Sequence, residues 1–276
     1  MARRAFLLGL AVLCAVPGLA ASTGASGGGL GPGGRAKQLV TALASKGPRP
    51  AGEPGAERFA QEFVATELRQ LGYRVVLQRV ALPNGRSTRN VVGLSSGRPK
   101  VVIVAHLDGV LSSPAANDNA SGVAVLVELA ASLRGESGVL VAATGAEERA
   151  VTGSRLHLGS LRLLQGISPQ ARGGVRLAVV LDMVGVGTRL HVRGIERAPN
   201  RSARLLLAQG RSTYLRDDGD SDHAELTRHG LPASWLQWRT DACWHEPCDV
   251  ARRVDARKLE AAFRVVLPAA LLALKS

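Results

Sequence analysis

Aromatic residues are scarce in this 276-residue chain: Phe, Trp and Tyr together make up 3% of it. So few stacking platforms argue against a single-strand nucleic-acid binder, and no groove-reading motif stands in for them. Acidic residues are also few beside basic ones, 22 against 35, which leaves a formal charge of +13. The excess is mainly arginine and is dispersed along the chain. It reads as a solvated basic surface with affinity for anionic envelopes or acidic substrates, and no nucleic-acid partner is expected. Cysteines number only three. Beyond Cys14 there is the single pair Cys243 and Cys248, with no second pair to complete a four-cysteine zinc site. Long apolar runs are missing too. Ala5 to Val16 is short and broken by Pro17-Gly18, and the apolar stretch near the C-terminus is interrupted, so no stable membrane span is expected. There is no internal repeat.

The N-terminus carries an address. Ala2-Arg3-Arg4 is basic, the apolar run follows, and Gly18-Leu19-Ala20 offers small residues for cleavage. Residues 1–20 therefore read as a secretory signal peptide, which implies a secreted or periplasmic protein. Leu13 is not the small residue expected before a lipid-modified cysteine, so Cys14 is not read as a lipid anchor. Residues 21–34, rich in Gly, Ser and Ala, read as a flexible leader. In an exported protein Cys243 and Cys248 are close enough in sequence to close a small disulfide loop, with two free thiols as the alternative.

Residues 35–276, in a chain that is 46% hydrophobic, can bury the core of one large α/β domain. Arg35 to Ser45 has helical spacing. In Ala56 to Leu71, Phe59, Phe63, Leu68 and Leu71 recur at helical intervals before Gly72. Strands are expected at Tyr73–Val80, Arg89–Leu94 and Lys100–Ala105, and their succession without helices predicts partly antiparallel pairing. Further strands are expected at Val139–Ala143, Val175–Leu181, Leu190–Val192 and Pro232–Gln237. Helices are expected at Val123–Leu133, near Gly153–Leu164, at Arg201–Ala208, and after Asp255, where Pro268 should kink or end the helix. The fold class is a three-layer α/β/α domain with a central mixed, mostly parallel sheet.

The chemistry centres on Val101 to Gly122. Val101-Val102-Ile103-Val104-Ala105 reads as a strand buried on both faces and ends at His106, where open α/β sheets place ligands. Asp108 is placed to orient that imidazole, and Asp118 begins a helix beside it. Two further apolar strands end at Glu147-Glu148 and at Asp182. Charges at buried strand ends are costly unless paired, hydrogen-bonded or bound to metal. A metal-free polar network is the bland explanation. The sharper one is a metal site: His106, Asp118, Glu148, Asp182 and His245 offer nitrogen and oxygen ligands suited to zinc, with manganese or cobalt as alternatives. Five ligands exceed one catalytic zinc and fit two, with one carboxylate shared. Glu147 is then left as general base.

These residues lie in motifs that resemble peptidase family M28, in particular its small secreted bacterial aminopeptidases. The motifs are Ala105-His106-Leu107-Asp108, Asn117-Asp118-Asn119-Ala120-Ser121-Gly122, Glu147-Glu148, Leu181-Asp182-Met183-Val184-Gly185, Ser221-Asp222-His223 and Cys243-Trp244-His245-Glu246-Pro247-Cys248-Asp249. They occur in family order from about Arg49 to the C-terminus. The resemblance implies an M28-like peptidase domain over 35–276 with two zinc ions. Asp118 would be shared between them, His106 and Asp182 would complete one site, and Glu148 and His245 the other. Glu147 would be the base and Asp108 the outer partner of His106. It also implies a Cys243–Cys248 disulfide bracketing His245. Two positions depart from the family. Trp244 replaces the usual tyrosine and can only donate a hydrogen bond, and Leu226 replaces an aromatic, which would alter the substrate pocket wall.

The expected activity is hydrolysis of the first peptide bond of peptides with a free amino terminus, by a monomer. Trp244 and His223 are candidate substrate contacts. His157, His191 and His229 read as surface or loop histidines, and Trp235 and Trp238 as packing residues. Two competing functions remain. One is a glutaminyl cyclase, a single-zinc acyltransferase on a similar fold, because Trp244-His245 resembles its tryptophan-histidine pair. The other is a non-catalytic binding domain, which would lack a ligand or the base; neither is lacking here.

Overall fold

The computed structural model describes residues 30–154 and 156–276. The expected signal peptide, Cys14 and most of the leader lie outside them. Eight strands form one sheet: β1 (Arg74–Ala81), β2 (Ser87–Leu94), β3 (Val101–His106), β4 (Val139–Thr144), β5 (Leu177–Leu181), β6 (Arg189–Gly194), β7 (Thr213–Arg216) and β8 (Ala233–Arg239). The α-helices among the described residues are α1 (Pro32–Ala44), α2 (Ala56–Gln70), α3 (Gly122–Ser132), α4 (Arg149–Thr152), α5 (Leu158–Gln165), α6 (Pro169–Gly174), α7 (Arg201–Leu207), α8 (His223–Arg228) and α9 (Ala256–Lys275).

The sheet order is β1-β2-β4-β3-β5-β8-β6-β7. The central block β4-β3-β5-β8 is parallel throughout, whereas β1 pairs with β2, β2 with β4, and β6 with β8 in antiparallel fashion. Strand alternation divides the core in two. Val101, Ile103, Val139, Val141, Leu177 and Val179 face one way, into a cluster with α1, α2, α3, α7 and α9. Val102, Val104, Leu140, Ala142, Ala178 and Val180 face the other, against Leu163 and Leu164 of α5 and Leu226 of α8. Every residue of β3, β4 and β5 is buried, as apolar runs covered on both faces require. The result is the expected three-layer sandwich.

Four local expectations change. First, α1 begins at Pro32, inside the segment read as leader. Proline suits a first helical turn, and Gly33 packs so close to α9 that a Cβ there would lie 2.2 Å from the Ala256 carbonyl. Second, Pro268 does not end α9. It sits on the same exposed face as Arg264, one turn earlier, so the carbonyl that loses its N–H partner is turned toward water. Asp255 does cap this helix, accepting the Arg257 N–H at 2.8 Å. Third, the helix expected near Gly153–Leu164 begins only at Leu158, as α5, and Gly153 in the left-handed region ends the short α4 before it. Fourth, Leu226 lies in the core under the sheet and not in a pocket wall.

Ile103 is fully buried in the central strand. Ile103→Ala is expected to lower the unfolding free energy by about 2–5 kcal/mol. Leu77→Ala, on exposed edge strand β1, is expected to cost less than about 1 kcal/mol. Urea denaturation of the two variants checks the difference.

Candidate metal centre at the carboxyl ends of the strands

The parallel strands point one set of side chains at a single edge. β3 delivers His106, β4 leads through Gly145-Ala146 to Glu147-Glu148, and β5 leads directly to Asp182. Asp118 enters from the irregular turn Ala116–Ser121 before α3, and His245 from the loop after β8. The Asp118–Asn119 peptide within that turn is cis. These five candidate ligands and Glu147 converge. His106 Nε2 lies 3.1 Å from Asp118 Oδ1 and 3.5 Å from Asp182 Oδ1. His245 Nε2 lies 3.3 Å from Asp118 Oδ2 and 3.1 Å from Glu148 Oε2. The two oxygens of Asp118 therefore face two different donor sets. Glu147 also approaches His106 and Asp182, with ligand-type atoms of the three within 4.8 Å of one another.

A second ring of polar residues fixes the backbone that carries these groups. The Asp108 carboxylate, expected to hold the His106 ring, stands 3.9 Å from its Nδ1. It accepts instead the backbone N–H groups of Glu147 and Glu148, at 3.1 and 3.0 Å. The Asp108 carbonyl is the group that meets His106 Nδ1, at 3.1 Å. Asp249 does the same work for the Asp118 turn, accepting the N–H groups of Asn117 and Asp118 at 2.7 and 3.1 Å. The Asn-Asp-Asn-Ala-Ser-Gly motif then stitches that turn to the end of β5. Asn117 Oδ1 accepts from Gly185 N–H, Asn119 Nδ2 donates to the Leu181 carbonyl, and Ser121 Oγ accepts from Val184 N–H. Gly122 closes the motif because a Cβ there would lie 2.2 Å from the Leu181 carbonyl. Disulfide Cys243–Cys248 encloses His245. Ala146, Met183 and His245, each beside or among the candidate ligands, have positive φ. Such left-handed geometry costs non-glycine residues about 1–3 kcal/mol each and is retained where surrounding contacts over-determine it.

The electrostatics are those of crowded, buried carboxylates. Burial, joined by the neighbouring Glu148 and Asp182 charges, pushes Glu147 well above the ordinary carboxylate range. Burial and Asp118 raise Glu148 to about 7. Burial opposes a charge on His245, but hydrogen bonds to Asp118 and Glu148 outweigh it and lift its pKa to about 10. His106 is likewise raised well above its usual value: Glu147, Asp182 and Asp118 overcome its burial. For Asp118 burial is overcome in turn by the two histidines, which hold its pKa below the usual range. Two oxygens in the cluster, Glu148 Oε1 and Asp182 Oδ1, are buried without a hydrogen-bond partner. Unsatisfied buried acceptors, like charges at contact distance and a mixed nitrogen-oxygen donor set fit the ligands of a divalent cation.

The cluster floors a cleft of about 540 Å³ lined also by Arg149, Arg193, Trp235, Arg239 and Trp244, the size of a small-ligand site. Trp244 is 55% exposed at its mouth and lies over the His245 ring at 4.2 Å. His223, expected to contact substrate, does not reach the cleft. It is 0% exposed, accepts or donates to Asp217 through Nε2 at 3.0 Å, and packs on Trp235. Trp235, read as packing only, both lines the cleft and donates its indole N–H to the Asp182 carbonyl at 2.9 Å. Trp238 does pack, under Lys258 of α9. His229 is exposed at the end of α8, as expected, whereas His191 is half-buried within β6, paired with Thr213 of β7 and Gln237 of β8. His157 departs from expectation: it is 1% exposed, with Nε2 3.4 Å from Glu147 Oε1. Asp249, which holds the Asp118 turn, is not among the residues expected from sequence. The only signal for it was its place at the end of the cysteine-bracketed motif.

A layered sheet with histidines and carboxylates gathered at the carboxyl ends of parallel strands defines a metallohydrolase architecture. The model of Peptidase family M28 matches residues 90–270, and the chain belongs to that family. It is 27% identical over 213 residues to the aminopeptidase YwaD of Bacillus subtilis, a match covering 69% of this chain and 46% of that protein. The chain spans about half the length of the curated relatives it matches. Among solved structures, a zinc aminopeptidase from Bacillus subtilis has a TM-score of 0.80 at 18% identity, over 87% of this chain and 95% of that one. A glutaminyl cyclase from Tannerella forsythia has a TM-score of 0.72 at 19% identity, over 86% and 97% of the two chains. Those two likenesses are of fold.

Raised pKa values at Glu148 and His245 mean that both groups hold protons at about pH 6, protons that a cation must displace. Zinc affinity of the metal-free protein is therefore expected to rise with pH, about tenfold per pH unit for each proton released. Calorimetric titrations from about pH 6 to about pH 9 in buffers of different ionisation enthalpy measure both quantities. An affinity flat across that window would contradict the assignment.

Proposed function

We propose that the chain is an exported zinc aminopeptidase that cleaves the first peptide bond of peptides with a free amino terminus. The observation that carries this reading is the placement of Asp118 between two donor sets, one with His106 and Asp182, the other with Glu148 and His245. Two zinc ions, held by those sets and sharing Asp118, fit the residues present; manganese or cobalt would suit the same donors. When bound, zinc supplies Lewis acidity that activates a water and polarises the scissile carbonyl. Glu147, on the cleft wall, takes a proton from the attacking water and returns it to the leaving amine. Its raised proton affinity, caused by burial, suits a group that must first accept a proton. Asp108 holds Glu147 and Glu148 in register through their backbone N–H groups. Trp244, at the mouth of the cleft, can donate its indole N–H to substrate and accept nothing. Export is supported by the basic, apolar and small-residue pattern of residues 1–20 and by the disulfide. No helix of the described residues is long and apolar enough to cross a membrane. We take the acting form to be a monomer.

Glu147→Ala is expected to abolish hydrolysis of a leucine anilide by about 10²–10⁴-fold while zinc content stays at the wild-type level. Asp118→Ala is expected to lose zinc and activity together. Plasma emission measurement of metal beside the anilide assay checks both, and a Glu147→Ala variant that kept most of its activity would remove the base assignment. The glutaminyl cyclase fold likeness gives the alternative a direct test. Wild-type protein should cleave the anilide and leave an N-terminal glutamine peptide uncyclised; pyroglutamate formation without anilide cleavage would reverse the reading.

A further inference from the structure

Behind Glu147, on the side away from the cleft, lies a buried imidazole with no assigned part. His157 precedes α5 and is 1% exposed. Its Nε2 is 3.4 Å from Glu147 Oε1, and its Nδ1 is 3.7 Å from Glu225 Oε1 of α8. Both contacts are at ion-pair distance, and neither ring nitrogen completes a hydrogen bond in this geometry. Among the described residues, no donor completes a hydrogen bond to the Glu147 side chain, whereas Glu225 Oε1 already accepts from Arg228 Nη1 at 3.4 Å. Burying an imidazole costs free energy that an apolar side chain in the same space would avoid, so the ring is there for its polar contact.

The backbone around this contact is tied down from three sides. Leu158 N–H donates to the Ala146 carbonyl at 3.0 Å. Asn90 bridges the same two segments, accepting Gly145 N–H at 3.0 Å and donating to the Gly159 carbonyl at 2.9 Å. Gly159 sits so close that a Cβ there would lie 2.0 Å from the Gly145 carbonyl. From α8, Asp222 accepts the hydroxyls of Ser160 and of Thr144 at the end of β4. The segment bearing His157 and the turn bearing Glu147 therefore move as one unit, and the ring cannot drift from the carboxylate without breaking several buried hydrogen bonds.

We propose that His157 is a positioning residue for Glu147: its Nε2, 3.4 Å from Oε1, closes to donate a hydrogen bond to that oxygen and leaves the second carboxylate oxygen to face the cleft. The inference rests on the aminopeptidase reading, in which Glu147 is the base. Burial, followed by the nearby Arg149 charge, brings the His157 pKa down to about 3. The ring is neutral, with one N–H to give, and Arg228 already supplies Glu225.

Three substitutions separate this role from simple packing. His157→Gln can place an amide N–H where Nε2 stood; His157→Asn can place one only where Nδ1 stood; His157→Leu has none. On a leucine anilide with zinc-loaded protein, His157→Gln is expected to keep kcat within about threefold, while His157→Asn and His157→Leu lose about 10–100-fold in kcat with KM and zinc content unchanged. Nitrogen-15 NMR of zinc-loaded wild-type protein is expected to find the ring neutral with its proton on Nε2. Equal kcat in all three variants, equal losses in Gln and Asn, or a proton on Nδ1 would each overturn the assignment. If His157→Leu does not fold, the Gln and Asn pair decides the matter, with thermal unfolding as the control. A zinc-loaded wild type that cleaves no anilide would overturn the peptidase reading and this assignment with it, whereas failure of the assignment alone leaves the wild type active.

Discussion

The constraint on which the site depends is the crowding of four buried carboxylates, Asp118, Glu147, Glu148 and Asp182, around His106 at one edge of the sheet. Like charges at these distances in a poorly solvated place repel strongly. The repulsion raises the proton affinity of Glu147, Glu148, His106 and His245, and the donor geometry is one that a divalent cation would satisfy more completely. Much of the remaining polar structure keeps the crowded groups from escaping. Asp108 and Asp249 accept pairs of backbone N–H groups, Asn117, Asn119 and Ser121 tie the Asp118 turn to the end of β5, and Ser221 donates to Asp182 Oδ2 at 2.7 Å.

The sheet makes such an arrangement affordable. β3, β4 and β5 are buried on both faces and neighbour one another, so three carboxyl ends meet without any long loop having to find its way there. Positive φ at Ala146 and Met183 then turns the chain sharply just beyond the strands. The rigid core thus bears the local backbone cost, and the functional side chains occupy its rim.

The central strands could be read from sequence because burial on both faces leaves a continuous apolar run. The metal-competent residues stood out because charged groups end those runs. What escaped was whatever tertiary contact alone decides. β7, Thr213–Arg216, is a partly exposed edge strand with no apolar run. α6, Pro169–Gly174, holds two glycines and buries nothing. α8 starts inside an acidic segment and is fixed by Asp222 and Leu226 on the far face of the sheet. Sequence named Asp108 correctly as a neighbour of His106, but could not say that its carbonyl meets the ring while its carboxylate serves Glu147 and Glu148. His223 stood within a family motif and lies buried against Asp217 and Trp235. His157 stood in none and proved to touch Glu147, because α5 and α8 close over it.

The proposed centre turns on Asp118, whose carboxylate would be shared by two cations. The direct measurement is anomalous diffraction at the zinc absorption edge from crystals of the protein equilibrated with zinc. Two peaks are expected, one on each side of Asp118, the first within ligand distance of His106 and Asp182, the second of Glu148 and His245. A single peak, or none at this cluster, would contradict it.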